Sequence, residues 1–160
     1  MSKRLLKLMK LKTMIKSFVI NNIEDEYTPE NILFEQWLSA FDFVKNAEIT
    51  IKIVTPKEMK SLNILYRNQE KITDTLAFPF DSLSVDNKVI LGDIAMCAKK
   101  INSDSILFKK NKEDRWAHLI VHSTLHLLGY THDDIKNQKS MENKEIDILK
   151  KFNILNPYEI

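Results

Sequence analysis

The chain has 160 residues, of which 44% are apolar and 29% are charged, and its net charge is +2. These values are typical of one globular domain, and they exclude a disordered chain and a domain that is strongly basic as a whole. A single cysteine, Cys97, excludes an internal disulfide bond, and its apolar neighbours predict a small buried residue in a protein of the reducing cytoplasm.

The N-terminal segment contains six basic residues among leucines and methionines (Lys3, Arg4, Lys7, Lys10, Lys12 and Lys16). These charges interrupt the apolar run that a signal peptide needs, so secretion is not expected. We interpret residues 1–16 as a basic extension of a single domain that spans residues 1–160. Contact of this segment with RNA or with a membrane surface is the alternative. No stretch reaches about 18 uncharged apolar residues, so we expect no membrane-spanning segment and no membrane partner.

The first half of the chain predicts two rounds of strand and helix. Residues 17–21 form a short strand, and Thr28-Pro29 then caps and starts a helix whose apolar positions recur every three or four residues. Trp37 lies on that apolar face and is expected in the core. Residues 48–54 alternate polar and β-branched residues, which predicts a half-buried strand. Thr55-Pro56 starts a second helix, which runs toward Arg67.

The second half predicts two consecutive strands and then two helices. The strands cover residues 74–80 and 88–94; Pro79 places the first at a sheet edge or at its own end, and Gly92 weakens the second. A buried helix follows over residues 112–128, ends at Gly129, and precedes a last helix over residues 135–152. This order predicts an α+β fold with a small mixed sheet of about four strands packed by helices. The histidine spacing described below adds a metal-binding helix that resembles that of the zincins.

Three histidines in the segment HSTLHLLGYTH, residues 122–132, have the spacing of metal ligands. His122 and His126 share one face of a helix, and Gly129 lets the chain reverse so that His132 returns as a third ligand. Three imidazoles leave one position of a tetrahedral zinc ion open, as in catalytic sites. Core or capping histidines are the alternative, but all four histidines of the chain fall within fifteen residues. We therefore predict one bound Zn²⁺ ion.

The residues around these histidines leave some alternatives open. In metzincin peptidases a glutamate follows the first histidine, whereas this chain has Ser123, so peptide hydrolysis is disfavoured. We expect His118 to pack or to support a ligand rather than bind the metal. Asp133 and Asp134 either orient ligands or cap a turn in solvent.

The histidine segment resembles the signature H-G-x-L-H-L-x-G-Y-D-H of the YbeY family of metal-dependent endoribonucleases. Three earlier segments, in the same order, are similar to other family motifs: LNILYR at 62–67, TDTLAFP at 73–79 and LGDIAMC at 91–97. The chain departs from the pattern at Ser123, Thr131, Thr75 and Ala77, where the family has Gly, Asp, Val and Ser. The loss of the aspartate at position 131 is expected to weaken metal affinity.

The resemblance implies an α+β fold with zinc at one end of a cleft. It also implies cleavage of single-stranded ribosomal RNA, in the maturation of the small-subunit 3′ end and in ribosome quality control. Catalytic roles are implied for Arg67 and His122, with Arg67 binding a phosphate; without the resemblance, a salt bridge at a helix end would be favoured for Arg67. The expected partners are ribosomal RNA and the small ribosomal subunit, and no DNA partner is expected.

Two further RNA contacts are predicted, and for each of them a simpler structural explanation is also possible. Phe78 is a candidate for stacking on a base, although most phenylalanines in strands belong to the core. Four lysines are candidates for following the RNA backbone from a loop that flanks the site, although a solvated loop explains them equally well (Lys99, Lys100, Lys109 and Lys110).

Two other function classes remain open. One is a zinc hydrolase of another substrate, such as a peptide. The other is a non-catalytic ribosome-associated protein with a structural metal. For the second class no fourth ligand is evident, because Cys97 lies far away in an apolar strand.

Overall fold

The structure is a computed structural model that describes residues 15–42, 46–81 and 84–159. These ranges contain the strands β1 (Ile15–Ile20), β2 (Ala47–Val54), β3 (Thr75–Pro79), β4 (Ser84–Val85) and β5 (Lys88–Cys97), and the helices α1 (Asn31–Leu38), α2 (Pro56–Arg67), α3 (Ala98–Leu107), α4 (Lys112–Leu127) and α5 (Ile135–Lys150). The predicted basic extension lies outside the described residues, except for its last two positions, which belong to β1.

The strands form one mixed sheet in the order β1-β2-β5-β3, and the short β4 also pairs with β5. β1 and β5 run parallel to β2, whereas β3 and β4 run antiparallel to β5. The predicted α+β fold with a small mixed sheet is confirmed. β3 lies at one end of the strand order and ends at Pro79, as its proline predicts.

α4 is the central helix of the core, because it packs against β3, β5, α1, α3 and α5. Its Trp116, Ile120 and Leu125 side chains are fully buried. Trp37 of α1 is 3% exposed and Cys97 is 0% exposed, which confirms both as core residues. Within the described ranges, no helix has the length and the apolar character that crossing a membrane requires.

Residues 98–107 form helix α3, where no helix was predicted. Lys99 and Lys100 therefore lie on a helix rather than in a loop, and that part of the lysine prediction is wrong. Lys100 forms an ion pair with Asp104 at 3.1 Å. The usual start signals are absent from this helix, because Cys97 at its N-cap gives no side-chain hydrogen bond and no proline follows.

β5 continues to Cys97, three residues past its predicted end at Ile94. Gly92 does not interrupt the strand but allows a close approach. Its φ angle is +147°, and a Cβ at this position would lie 2.2 Å from the Phe78 carbonyl oxygen and 2.9 Å from a methyl group of Leu127. Glycine therefore permits β3 and the end of α4 to meet over β5, and this junction carries the candidate site.

Candidate metal centre and cleft

α4 ends in a turn that directs the chain back toward its own last residues. Gly129 has a φ angle of +100°. The backbone N–H of Tyr130 donates to the Leu125 carbonyl at 3.0 Å, and the N–H of Gly129 donates to the His126 carbonyl at 3.1 Å. These two bonds define a Schellman motif, which explains why a glycine is needed here. The turn brings the Tyr130 carbonyl within reach of His126 and leads the chain toward His132.

The two helical histidines point their Nε2 atoms at each other, 3.1 Å apart. The Nδ1–H group of His126 donates to the Tyr130 carbonyl at 3.0 Å, and that of His122 donates to the Glu145 carboxylate at 2.5 Å. Each Nε2 atom of a neutral ring therefore carries a lone pair. Two lone pairs so close repel each other unless a cation lies between them. Nitrogens bound to one tetrahedral zinc ion lie about 3.3 Å apart, so the pair fits a metal ion.

His132 completes the group from the segment after the turn. The ligand nitrogens of His122, His126 and His132 all lie within 4.8 Å of one another, and no fourth side chain from the described residues joins this trio. Burial and the neighbouring His122 lower the pKa of His126, which favours the neutral, ligating form of its ring. The structure thus brings together the three predicted ligands, and their donor set suits a divalent transition metal.

Glu145 of α5 lies behind His122 and is completely buried. Its Oε1 accepts the bond from His122, and its Oε2 accepts from His118 Nε2 at 2.9 Å and from the hydroxyl group of Tyr158. Burial alone would raise the pKa of Glu145, but the hydrogen bonds from His118 and His122 outweigh it and lower the pKa to about 2. Glu145 is therefore an anion at neutral pH, and His118 supports the site without facing the trio.

The two aspartates after the third histidine have structural partners. Asp134 caps α5, because its side chain accepts from the Asn137 N–H at 2.7 Å. Asp133 accepts from Thr131 at 2.8 Å and from the Asn137 side chain at 3.0 Å. Both are exposed, so their contacts favour a solvent-facing cap over the orientation of ligands.

The three histidines lie in a cleft of about 910 Å³ that Arg67 also lines. The Arg67 guanidinium donates to the Ala77 carbonyl of β3 at 3.1 Å and to the Tyr66 carbonyl at 3.2 Å, and it lies over the Phe78 ring at 5.5 Å. Among the described residues, no carboxylate lies within ion-pair distance of Arg67. The salt-bridge alternative therefore receives no support.

Buried Asn63 fixes the loop between α2 and β3. Its side-chain amide donates to the Lys71 carbonyl at 3.0 Å and to the Thr73 hydroxyl at 3.1 Å. Arg67 ends α2 at the start of this loop, so the amide helps to set where the guanidinium lies. Arg115 of α4 binds Asp74 at 2.8 Å and joins the far end of the same loop to the central helix.

Phe78 is half-buried and does not line the cleft. It packs with Leu62 and Leu76 on a small core cluster, and its ring meets the Tyr66 ring at 5.2 Å. Tyr66 is 55% exposed, so it offers more free aromatic surface than Phe78 does. Lys109 and Lys110 also lie outside the lining of the cleft.

The family model of Endoribonuclease YbeY matches residues 18–153. The chain belongs to the endoribonuclease YbeY family. Members of this family are nucleases and therefore hydrolases.

Named relatives agree with the family assignment over most of the chain. Endoribonuclease YbeY of Buchnera aphidicola subsp. Schizaphis graminum is 41% identical over 81% of this chain and 84% of its own length. The corresponding protein of Buchnera aphidicola subsp. Cinara cedri is 39% identical over 94% of this chain and 99% of its own length. The solution structure of TM1509 from Thermotoga maritima has the same fold, with a TM-score of 0.55, 23% identity and coverage of 86% of this chain and 88% of that chain.

Two of the departures from the YbeY pattern contact each other. The hydroxyl groups of Ser123 on α4 and Thr75 on β3 lie 2.9 Å apart, and Ser123 is 1% exposed. The serine therefore packs toward the sheet and joins α4 to β3. In this position it offers no replacement for the glutamate base of the metzincin peptidases.

Three residues of the site were not singled out from the sequence: Asn63, Glu145 and Tyr158. For Glu145 a signal exists, because it shares the buried face of α5 with Met141, Ile148 and Leu149. A glutamate on an apolar helix face requires a partner in the core. Tyr158 carries no comparable signal, since it lies in an irregular segment after α5.

Proposed function

We propose that this chain is a zinc-dependent endoribonuclease of the cytoplasm that cleaves single-stranded ribosomal RNA. Its proposed roles are the maturation of the small-subunit 3′ end and the quality control of ribosomes. The observation that carries the proposal is the convergence of three imidazole nitrogens in the same cleft as Arg67, which has no acidic partner in the described part of the chain. Family membership supports the nuclease activity.

His122, His126 and His132 would hold the metal ion. When bound, a divalent cation lowers the pKa of solvent and stabilises negative charge on a phosphoryl oxygen. The catalytic role proposed for His122 is ligation, because its Nδ1–H group is already committed to Glu145. The three-histidine set supports a catalytic rather than a structural metal, since structural zinc sites usually have four protein ligands.

Arg67 is proposed to bind the scissile phosphate. Its guanidinium has five N–H donors, and the two contacts to backbone carbonyls leave the others available. Those contacts and the Phe78 ring hold the planar group in one orientation, which reduces the entropy lost when a phosphate binds. Phe78 is thus proposed to contribute to substrate binding by orienting Arg67, and not by lining the cleft itself.

The preference for single strands is proposed to come from exposed aromatic rings beside the cleft. Tyr66 adjoins Arg67 on α2, and Phe80, which is 40% exposed, lines the cleft after β3. Unpaired bases stack on such rings, whereas bases within a duplex are already stacked on each other. Lys71 also lines the cleft and supplies a charge for the RNA backbone.

Arg67→Ala tests this proposal, with Lys57→Ala as the matched control. Lys57 is exposed on the same helix and lies outside the cleft lining, so the control removes an equal charge at a distance. Cleavage of single-stranded and duplex ribosomal RNA is measured for each zinc-loaded protein, with metal content and melting temperature checked. We expect Arg67→Ala to retain zinc and fold and to lose roughly 100-fold in cleavage rate, the size of effect seen when one charge-stabilising donor is removed.

Two results would contradict the proposal. One is full activity of a zinc-loaded Arg67→Ala protein on single-stranded RNA. The other is failure of the zinc-loaded wild type to cleave any ribosomal RNA while it hydrolyses a protein such as casein, which would favour the peptidase alternative.

A further inference from the structure

Glu145 is a buried carboxylate in contact with two histidines. It has no exposed surface, and within the described residues only His118 and His122 lie within ion-pair distance of its carboxylate. Transfer of a carboxylate into a protein interior is strongly unfavourable unless it is paired and hydrogen-bonded. The two histidine bonds meet this requirement, so the fold places a buried, hydrogen-bonded carboxylate directly behind the metal trio.

We infer that Glu145 is a positioning residue for the metal ligand His122, and that Tyr158 of the C-terminal segment holds Glu145 in place. The role depends on the metal site of the proposed function. His122 would hold a divalent cation through Nε2 while its Nδ1–H group donates to Glu145, so a single imidazole would connect the cation and the carboxylate. Such carboxylate–imidazole–metal arrangements fix the ring and increase the basicity of the ligand.

The hydrogen bond from His122 to Glu145 selects the useful tautomer. An isolated neutral imidazole can carry its proton on either nitrogen. The Glu145 Oε1 atom can only accept, so the proton is held on Nδ1 and the Nε2 lone pair faces the trio. His126 obtains the same result from a backbone carbonyl. The tautomer of His122 is thus fixed by a side chain and that of His126 by the backbone. Only the acceptor for His122 can be removed by mutation of a side chain.

The second carboxylate oxygen explains why Glu145 supports the metal without binding it. Oε2 accepts from His118 at 2.9 Å and from the Tyr158 hydroxyl, and these two groups also lie 3.3 Å apart. Both oxygens are therefore occupied by donors, on the far side of the His122 ring. His118, His122 and Glu145 also form a compact group that could itself hold an ion. That use would require each of these bonds to break, so the supporting role is favoured.

The test measures the affinity for Zn²⁺ of the full chain by competition with a chromophoric chelator. Glu145→Gln keeps the shape of the side chain but removes the charge and one acceptor, and Tyr158→Phe removes only the hydroxyl. Asp147→Asn, at an exposed position of the same helix, and Tyr27→Phe are the matched controls. A second readout is the ¹⁵N chemical shift of the His122 ring nitrogens, which reports which nitrogen carries the proton. Melting temperatures of the metal-free proteins identify any loss of fold.

We expect Glu145→Gln to weaken zinc binding about 10- to 100-fold, as for other outer ligands of metal sites, and to decrease the fraction of His122 protonated on Nδ1. Tyr158→Phe is expected to weaken binding less than tenfold, and the controls are expected to match the wild type. If Glu145→Gln does not fold, Tyr158→Phe decides: a weaker zinc affinity supports the inference, and an unchanged one contradicts it.

The result also distinguishes this inference from the proposed function. A wild type that binds no zinc would contradict the metal site and the inference together. A wild type that binds zinc, with a folded Glu145→Gln protein of equal affinity and an unchanged His122 tautomer, would contradict the inference alone.

Discussion

The three candidate ligands differ in how firmly the protein holds them before a metal arrives. His122 and His126 lie half-buried on α4, and the Nδ1 atom of each has a hydrogen-bond partner. His132 is exposed in the segment after Gly129, and among the described residues no hydrogen bond to its ring is found. The helix thus provides a preorganised pair, whereas the turn provides a ligand that the ion itself must help to order.

This difference implies that the helical pair provides most of the metal affinity, whereas His132 leaves the metal site open to solvent. A preorganised ligand binds without loss of side-chain entropy, so most of the affinity should come from the helical pair. An exposed third ligand costs more to order, but it lies at the rim of the cleft that contains Arg67. The ligand that is least firmly held is therefore the one nearest to solvent.

The largest effect is expected for His126→Ala, which removes one member of the pair. We expect zinc affinity to fall at least about 100-fold, beyond the range for outer-shell partners, so that the purified protein contains no zinc. The fold should persist, because alanine favours helix and the Schellman motif at Gly129 is made by the backbone. Metal analysis after gel filtration measures the result; one zinc per chain would show that the ligand set is wrong.

A smaller effect is expected for His132→Ala, and it measures the difference between the two kinds of ligand. We expect an affinity loss of about tenfold, which corresponds to roughly 1.4 kcal/mol. The melting temperature of the metal-free protein should change little, because the side chain is exposed and its ring makes no hydrogen bond within the described residues. The zinc affinities of His132→Ala and His126→Ala are compared by competition with the same chelator. Equal losses for the two variants would contradict the preorganisation of the helical pair.

The helical pair and the turn ligand also differ in what the sequence could predict about them. The spacing of His122, His126 and His132 and the glycine before the last of them are local signals, and the structure brings the three together. A local signal also predicted the C-terminal end of α4, because a helix-ending glycine acts within a few residues. What holds each ring could not be predicted in this way.

The partners of the ligands depend on contacts between distant segments. Glu145 reaches His122 across 23 residues and Tyr158 reaches His118 across 40. No short pattern encodes either contact, although a glutamate on the apolar face of α5 indicates that some buried partner exists. α3 was missed for a similar reason, because its burial in the core depends on tertiary contacts and its N-terminus lacks a side-chain cap. The resemblance to the YbeY family predicted Arg67 in the cleft, where charge and spacing alone favoured a salt bridge.

His122 and His126 can be preorganised only if α4 itself is held in place. One contact between α4 and the sheet lies next to His122. Ser123 and Thr75 share a hydrogen bond of 2.9 Å between α4 and β3. Thr75 replaces the valine and Ser123 replaces the glycine of the YbeY pattern. The chain thus introduces two hydroxyl groups that form a hydrogen bond with each other. Removal of one hydroxyl group leaves the other without this partner, whereas removal of both leaves none unpaired.

The smallest effect is therefore expected in a double-mutant cycle of Thr75→Val and Ser123→Ala. Each single change should decrease the free energy of unfolding by about 1 kcal/mol, because a half-buried or buried hydroxyl loses its partner. The double change should cost less than the sum, with a coupling energy on the order of 1 kcal/mol. Urea unfolding of the metal-free proteins measures these values. Zinc affinity should stay constant across the cycle, because the Nδ1 partners of His122 and His126 are untouched. If zinc affinity instead falls together with stability, the hydrogen bond between Ser123 and Thr75, and not the Nδ1 partners, preorganises the pair.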